Sequence, residues 1–393
     1  MTRKPALLFI DDEPRVLDGI RRSLRSRRHD WDMDFKTDGA AAIEHLASAP
    51  CDVVVSDMRM PGMDGAQLLA QVSVHHPAAA RVVLSGHSER EAGLRASVVG
   101  HRFLSKPCDG EALTGLLDQL TQNVGSERNA QLRSAAGAIQ CLPILPQQLE
   151  RVTRTLAVPD VGLPEVVEAV TNSIGLAAKL LQLANSNFFC SGNRVTSLPY
   201  AVMALGMPTV QALLAADQAR WAIPAGAGPE ERQELEALWR HSVAAAKLVR
   251  TLASPANAPY SEAAALLQDA GRLALLGARA VGEWGTAPTS ADTPHPNDVG
   301  AHLLQLWGLP RPIVVAVADR YVAREPEPHG LGVSTALRTA HLLLQGTSCA
   351  DPHDGAYEEE LAALLRHPQL TVDDADWRAR AELVSQQTAK ALA

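Results

Sequence analysis

The residues best placed to do chemistry are Asp11, Asp12, Asp57, Ser85 and Lys106. Each stands at the end of a short apolar run: LLFI before Asp11-Asp12, VVVS before Asp57, VVL before Ser85, and RFLS before Lys106-Pro107. Carboxylates brought to one crevice repel unless a divalent cation joins them, and an all-oxygen ligand set suits Mg²⁺. A hydroxyl and an ammonium on neighbouring runs would complete a site for a transferred phosphoryl group. The lysine would pair with it as a point charge and the serine would donate a hydrogen bond.

Such convergence requires particular elements. Residues 6–10, 53–56, 82–84 and 102–104 read as buried strands, with a weaker one at 31–35, and helical patterns lie between them. This rhythm predicts an α/β unit, a five-stranded doubly wound parallel sheet, whose ligands sit beyond the carboxyl ends of the strands. Its last helix is expected over 110–123, which sets a first domain at 1–122 and a helical linker at 123–138. From there the periodicity is helical, as in 163–184, 198–214, 230–252 and 262–276, with a looser stretch at 285–297. An all-α domain over 139–345 and a helical tail over 346–393 are the expected remainder.

Composition agrees with two domains. A chain of 393 residues exceeds the roughly 250–300 that one core sustains. Apolar residues make up 46% but aromatics only 4%, so Ala, Leu and Val carry the core and favour closely packed helices. The net charge of −8 and a sequence pI near 5.9 give no global attraction to nucleic acid or anionic lipid, and no basic helix-turn-helix follows the linker. Direct DNA binding is therefore not expected. Arg21, Arg22, Arg25, Arg27 and Arg28 are punctuated by Val16, Leu17, Ile20 and Leu24, which makes them a solvated helix face. The five cysteines are scattered singly, and no apolar stretch approaches the roughly 20 residues of a membrane span. A soluble, cytoplasmic chain that is neither exported nor membrane-bound is the expectation.

The stretches LLFIDDEPRVL, VVVSDMRMPGMDG, VVLSGHSE and RFLSKP together resemble the receiver domain of two-component response regulators. The resemblance implies a flavodoxin-like fold with Asp57 as phosphoacceptor, attacking a histidine kinase's phosphohistidine. It implies that Asp11, Asp12, Asp57 and the backbone carbonyl of Arg59 hold Mg²⁺, that Lys106 pairs with the phosphoryl group, and that Ser85 and Phe103 are the switch residues. Pro61, Gly62 and Gly65 fit the loop after the nucleophile, and Arg59 and His87 flank the site.

The helical half resembles the HDOD domain, a relative of the HD phosphohydrolases, through LPILPQQLERV, AAKLLQLANSNFF, SLPYAVMALGM, LWRHSVAAA, ALLQDAGRLALL and HLLQLWGLPRPIVVAV. An active HD enzyme needs His and Asp ligands around an adjacent His-Asp pair; here that pair reads Gln268-Asp269. His241, Asp269 and His295 remain as ligand candidates, Asp319-Arg320 stands where paired His would be expected, and His341 where an Asp would be. For His241 the alternative to a ligand is a helix histidine bonded to a neighbouring carbonyl. Asp269 would alternatively tie two helices by a buried hydrogen bond. Asn185-Ser186 reads as a helix stop before a Phe188-Phe189 anchor, with a ligand-binding role as the alternative, and Trp239 and Trp307 as core residues, with interface anchors as the alternative.

The expectation is a phosphorylation-dependent response regulator with a non-catalytic output that recruits a downstream signalling protein. Cyclic-di-GMP signalling is one candidate context, and a second copy of the chain is another contact. The rival readings are a residual metal phosphohydrolase and a cyclic-dinucleotide sensor.

Overall fold

The computed structural model describes residues 3–86, 93–94, 96–122, 124, 127–190, 194–216, 227–280, 294–322, 331–344, 357–367, 370 and 374–391. His87, most of the looser stretch at 285–297 and the segment 323–330 lie outside them. Five parallel strands, β1 (Ala6–Ile10), β2 (Asp32–Lys36), β3 (Val53–Asp57), β4 (Ala80–Gly86) and β5 (Arg102–Lys106), form one sheet in the order β2-β1-β3-β4-β5. Both faces of β3 are buried, which explains its unbroken VVVSD run, whereas β2 lies at an edge and carries Asp32, Asp34 and Lys36 toward solvent. The five expected strands are all present, each within a few residues of its expected bounds.

Helices return the chain between strands, and their caps fix where the loops end. Asp38 accepts from the Ala41 N–H at 2.8 Å, and Asp64 with Gln67 forms a reciprocal capping box at the start of Gly65–His75. Gly65 has a steric reason as well: a Cβ there would lie 2.1 Å from the carbonyl oxygen of Asp57. The arginine cluster does not occupy one helix face. The helix Pro14–Ser23 stops before a short 3₁₀ turn at Arg25–Arg27, where Arg27 pairs with Asp30 and Asp118 and lies over Trp31.

The linker is the helix Glu127–Gly137, held to the receiver by Arg133, which donates to Asp52 at 2.6 Å. Beyond it every described element is helical except for isolated bridges, and several expected helices are broken in two. The 163–184 pattern divides at Asn172-Ser173 into Leu163–Thr171 and Ile174–Ala184. The 198–214 pattern turns at Gly206, whose φ of +79° only glycine adopts easily, and 262–276 breaks at Gln268-Asp269. Hydrophobic period alone does not see such breaks, because each half keeps its own apolar stripe.

Every residue of Ile174–Ala184 is buried, including Lys179 and Gln182. Asn185 ends this helix by clasping Val195 through both its backbone groups, and Phe188, Phe189, Trp239 and Trp307 are all buried. The apolar cores of the sheet and of the helical half are continuous. Among the described residues no single helix is long and apolar enough to cross a membrane.

Candidate functional site

Strand register places the reactive groups. Ile10 pairs with Ser56, Asp57 with Leu84, Ser85 with Ser105 and Gly86 with Lys106, so Asp11, Asp57, Ser85 and Lys106 all reach the carboxyl edge of the sheet. Lys106 Nζ lies between two carboxylates, 2.7 Å from Asp11 Oδ2 and in contact with Asp57 Oδ1. The backbone N–H of Arg59 donates to Asp57 Oδ2 at 2.8 Å, which fixes the plane of the carboxylate. Asp11 Oδ1 accepts from the Glu13 N–H at 3.0 Å.

Burial sets the electrostatics. It pushes the Asp11 carboxyl above the ordinary range, and Lys106 offsets only part of the shift. Burial also pulls Lys106 down, but its hydrogen bonds to Asp11 and Asp57 outweigh that, and the ammonium is held above its usual value. Asp12 is half-buried beside Asp11, and Ser85 is fully buried on β4. Three carboxylates against one ammonium leave two negative charges, the charge of one divalent cation, and the donors are all oxygens. The site fits Mg²⁺.

Phe103, one strand position from Leu104 on β5, is buried and points across to the helical half. It meets Phe189 edge to face at a centroid distance of 5.6 Å, and Phe189 in turn meets Phe188 at 4.9 Å. Around this contact the two halves are stitched by polar groups. Lys179 Nζ donates to the carbonyls of Ser97 (2.9 Å) and Gln140 (3.0 Å) and to Gln182 Oε1 (2.7 Å). Gln182 Nε2 donates to the carbonyls of Gly100 and His101, both at 3.1 Å. Arg81, fully buried, reaches the carbonyls of Val99 (2.6 Å) and Gly137 (2.8 Å). Burial lowers Lys179 to about 8. Sequence reasoning left the face beyond Phe103 open to the linker, a second copy or the helical domain, and missed the polar residues of this junction. The signal was available in Lys179 and Gln182, polar residues inside an otherwise apolar helix.

The HD-like positions gather differently from expectation. His241 is bonded to His341 through ring nitrogens 3.1 Å apart, and not to a backbone carbonyl. Asp269 Oδ1 accepts from Arg320 Nη1 at 2.7 Å and its Oδ2 from Ser242 at 3.3 Å, tying three helical segments together as the hydrogen-bond alternative anticipated. Burial pushes Asp269 up, but the Arg320 guanidinium more than offsets it and the carboxyl falls below its ordinary value. Burial, together with His341, lowers His241 to about 3 and keeps it neutral. Gln268 is buried beside them, its amide without a hydrogen-bond partner among the described residues.

His295 does not join the cluster. It is exposed, caps Pro296–Leu306 by accepting from the Asn297 N–H at 3.2 Å, and is separated from His341 by the ring of Tyr321. His241, Asp269 and His295 therefore form no three-ligand metal group in the HDOD domain. Arg320 was noted in the sequence only as a departure from paired His; its guanidinium is the cation that the buried Asp269 receives.

Comparison with known proteins agrees with both halves. The response regulator receiver domain family matches residues 7–118 and the HDOD domain family residues 142–282. The transcriptional regulatory protein GlrR of Escherichia coli K12 is 30% identical over 165 residues, 42% of this chain and 36% of that protein. The DNA-binding transcriptional regulator NtrC of the same organism is 37% identical over 98 residues, 24% of this chain and 21% of that protein. The chain thus spans about a third or less of the length of these curated relatives. The crystal structure of the signal receiver domain of an HD domain-containing protein from Pseudomonas fluorescens Pf-5 is 30% identical, covering 30% of this chain and 96% of that one, with a TM-score of 0.29. Receiver domains work with a histidine kinase and generally bind Mg²⁺ for phosphorylation. The chain thus carries a receiver domain of the response regulator family over residues 7–118, with an HDOD domain behind it over residues 142–282.

Proposed function

We propose that Asp57 is the phosphoacceptor and that its phosphorylation is read out through the contact of Phe103 with the HDOD domain. A carboxylate oxygen of Asp57 attacks the phosphorus of a kinase phosphohistidine, the P–N bond breaks with the electron pair returning to imidazole, and an acyl phosphate forms. The observation that carries the proposal is Lys106 held between Asp11 and Asp57 at the carboxyl edge of the sheet. Such an ammonium stabilises charge that builds on the transferring oxygens without having to reorganise. Asp11, Asp12, Asp57 and the carbonyl of Arg59 would hold Mg²⁺, which when bound neutralises the acidic cluster and the incoming phosphoryl oxygens. Ser85 donates to the phosphoryl group once it arrives, and Phe103 follows it.

The HDOD domain acts as a binding output. The buried Asp269–Arg320 pair supports this, because a guanidinium on the carboxylate competes with any metal there. His241, kept neutral by burial, shares a ring-nitrogen hydrogen bond with His341. The partner is a downstream signalling protein whose access depends on the state of the junction, and the setting is the cytoplasm, where a histidine kinase supplies the phosphoryl group.

Incubation of the full chain with acetyl phosphate and Mg²⁺ tests the assignment. Mass spectrometry should find one phosphoryl group per chain, none without Mg²⁺ and none on Asp57→Asn. Undiminished labelling of that variant would sink it. Affinity capture with wild type and Asp57→Asn, each with and without the phosphodonor, then identifies partners whose binding follows phosphorylation. Identical capture in all arms would count against a phosphorylation-gated output.

A further inference from the structure

Between the receiver and the HDOD domain lies a cavity of about 820 Å³, within the range of small-molecule sites. One wall is β5 and the helix Gly110–Thr121 of the receiver, the other the segments around Asn185 and Trp307 of the HDOD domain. Its lining includes Arg102, Arg194 and Arg311, and not one carboxylate among the described residues. Neither Arg194 nor Arg311 makes an ion pair or hydrogen bond among the described residues. Arg102 donates to the Gln305 carbonyl at 2.8 Å, while its Nε is buried with no acceptor. Burial, and after it the charge of Arg194, lower Arg102 to about 10. Gln119, Gln122 and Asn187 add amide donors and acceptors to the same lining.

We propose that this interdomain cavity binds a phosphorylated nucleotide, with its phosphate on the arginines and its base edge read by the amides. Guanidinium groups suit phosphate because they donate in a planar fork, and the buried Arg102 Nε has no acceptor until an anion arrives. A bare phosphate would leave most of the volume empty, whereas a nucleotide fills it. Amides carry both donors and acceptors, which is what a base edge presents. Because both domains supply walls, a ligand here resists their separation. Its affinity and the phosphorylation state of Asp57 are then linked reciprocally. The inference goes beyond the phosphorelay reading and does not require it, since Asp57→Asn should retain the cavity.

Calorimetry of the full chain at low salt against AMP, ATP, GMP, GTP and cyclic di-GMP, with inorganic pyrophosphate as a separate arm, tests it. At least one nucleotide should bind at one per chain, more tightly than pyrophosphate. Arg194→Gln and Arg311→Gln, both at exposed positions and expected to melt like wild type, should each weaken it about tenfold, or about 1.4 kcal/mol. Pyrophosphate binding as tightly as every nucleotide, no binding in any arm, or binding indifferent to both substitutions would overturn the proposal.

Discussion

Phe103 of the receiver sheet and Phe189 of the HDOD domain meet edge to face, with ring planes inclined at 70°. The residue we propose as the receiver's switch aromatic is thereby packed against the core of the HDOD domain. Rotation of Phe103 away from Phe189 removes this contact, while Phe189 keeps its edge-to-face contact with Phe188. Aromatic pairs of this geometry contribute about 0.5–1.5 kcal/mol beyond the area they bury.

Phe189→Ala should therefore destabilise the junction by about 3–5 kcal/mol, the usual cost of truncating a buried Phe. Labelling of Asp57 by acetyl phosphate should persist, because the acidic site is built from the strand ends and not from the junction. Calorimetric melting alongside phosphorylation stoichiometry checks both halves of this expectation.

Lys179 gives the junction a pH signature. Its pKa is about 8 folded, against an ordinary lysine value of 10.5. Between these values the unfolded chain binds the extra proton, so stability should rise with pH through that window. Below it both states carry the charge and the cost of burying it is fully present. Lys179→Met should abolish the rise. Its absolute stability also reflects three acceptors left behind, so the comparison is one of slopes: melting temperature against pH from 7.5 to about 10.5, wild type against variant.

The buried pair in the HDOD domain makes an asymmetric prediction. Arg320→Met leaves Asp269 charged and unpaired, which should cost about 3–5 kcal/mol, whereas Arg320→Met with Asp269→Asn should recover much of it. Chemical denaturation of the single and double variants reads this out. Metal analysis of the purified wild-type chain should find Fe, Mn and Zn well below one equivalent, and a stoichiometric metal lost on His241→Ala would contradict a binding-only output.

Lys106→Met should leave the fold intact while slowing phosphorylation by acetyl phosphate about 10²–10³-fold, the usual cost of removing one preorganised electrostatic group. The variant also leaves Asp11 and Asp57 facing each other without an ammonium. Its Mg²⁺ affinity should rise or hold while the rate falls, which fluorescence titration and timed labelling separate.

The receiver was legible because parallel strands buried on both faces leave unbroken apolar runs, and the reactive residues follow those runs directly. Asp11, Asp57, Ser85 and Lys106 reach one edge for that reason. The helical half was legible as a class but not in detail. Period 3.6 persists through breaks such as Gln268-Asp269, and it says nothing of which helix ends meet. The pairing of His241 with His341, a hundred residues away, and the seating of Arg320 on Asp269 depend on tertiary packing. The junction was not legible for the same reason: Phe103 and the Phe188-Phe189 anchor stand out separately in the sequence, but nothing in it says that they meet.

Hydrogen exchange at the junction tests the central claim most directly, with stoichiometric labelling of Asp57 measured on the same samples. With acetyl phosphate and Mg²⁺, peptides spanning 96–106 and 179–190 should change protection in wild type and stay unchanged in Asp57→Asn. Full phosphorylation with no change at either peptide would contradict the coupling of Asp57 to the HDOD domain through Phe103 and Phe189.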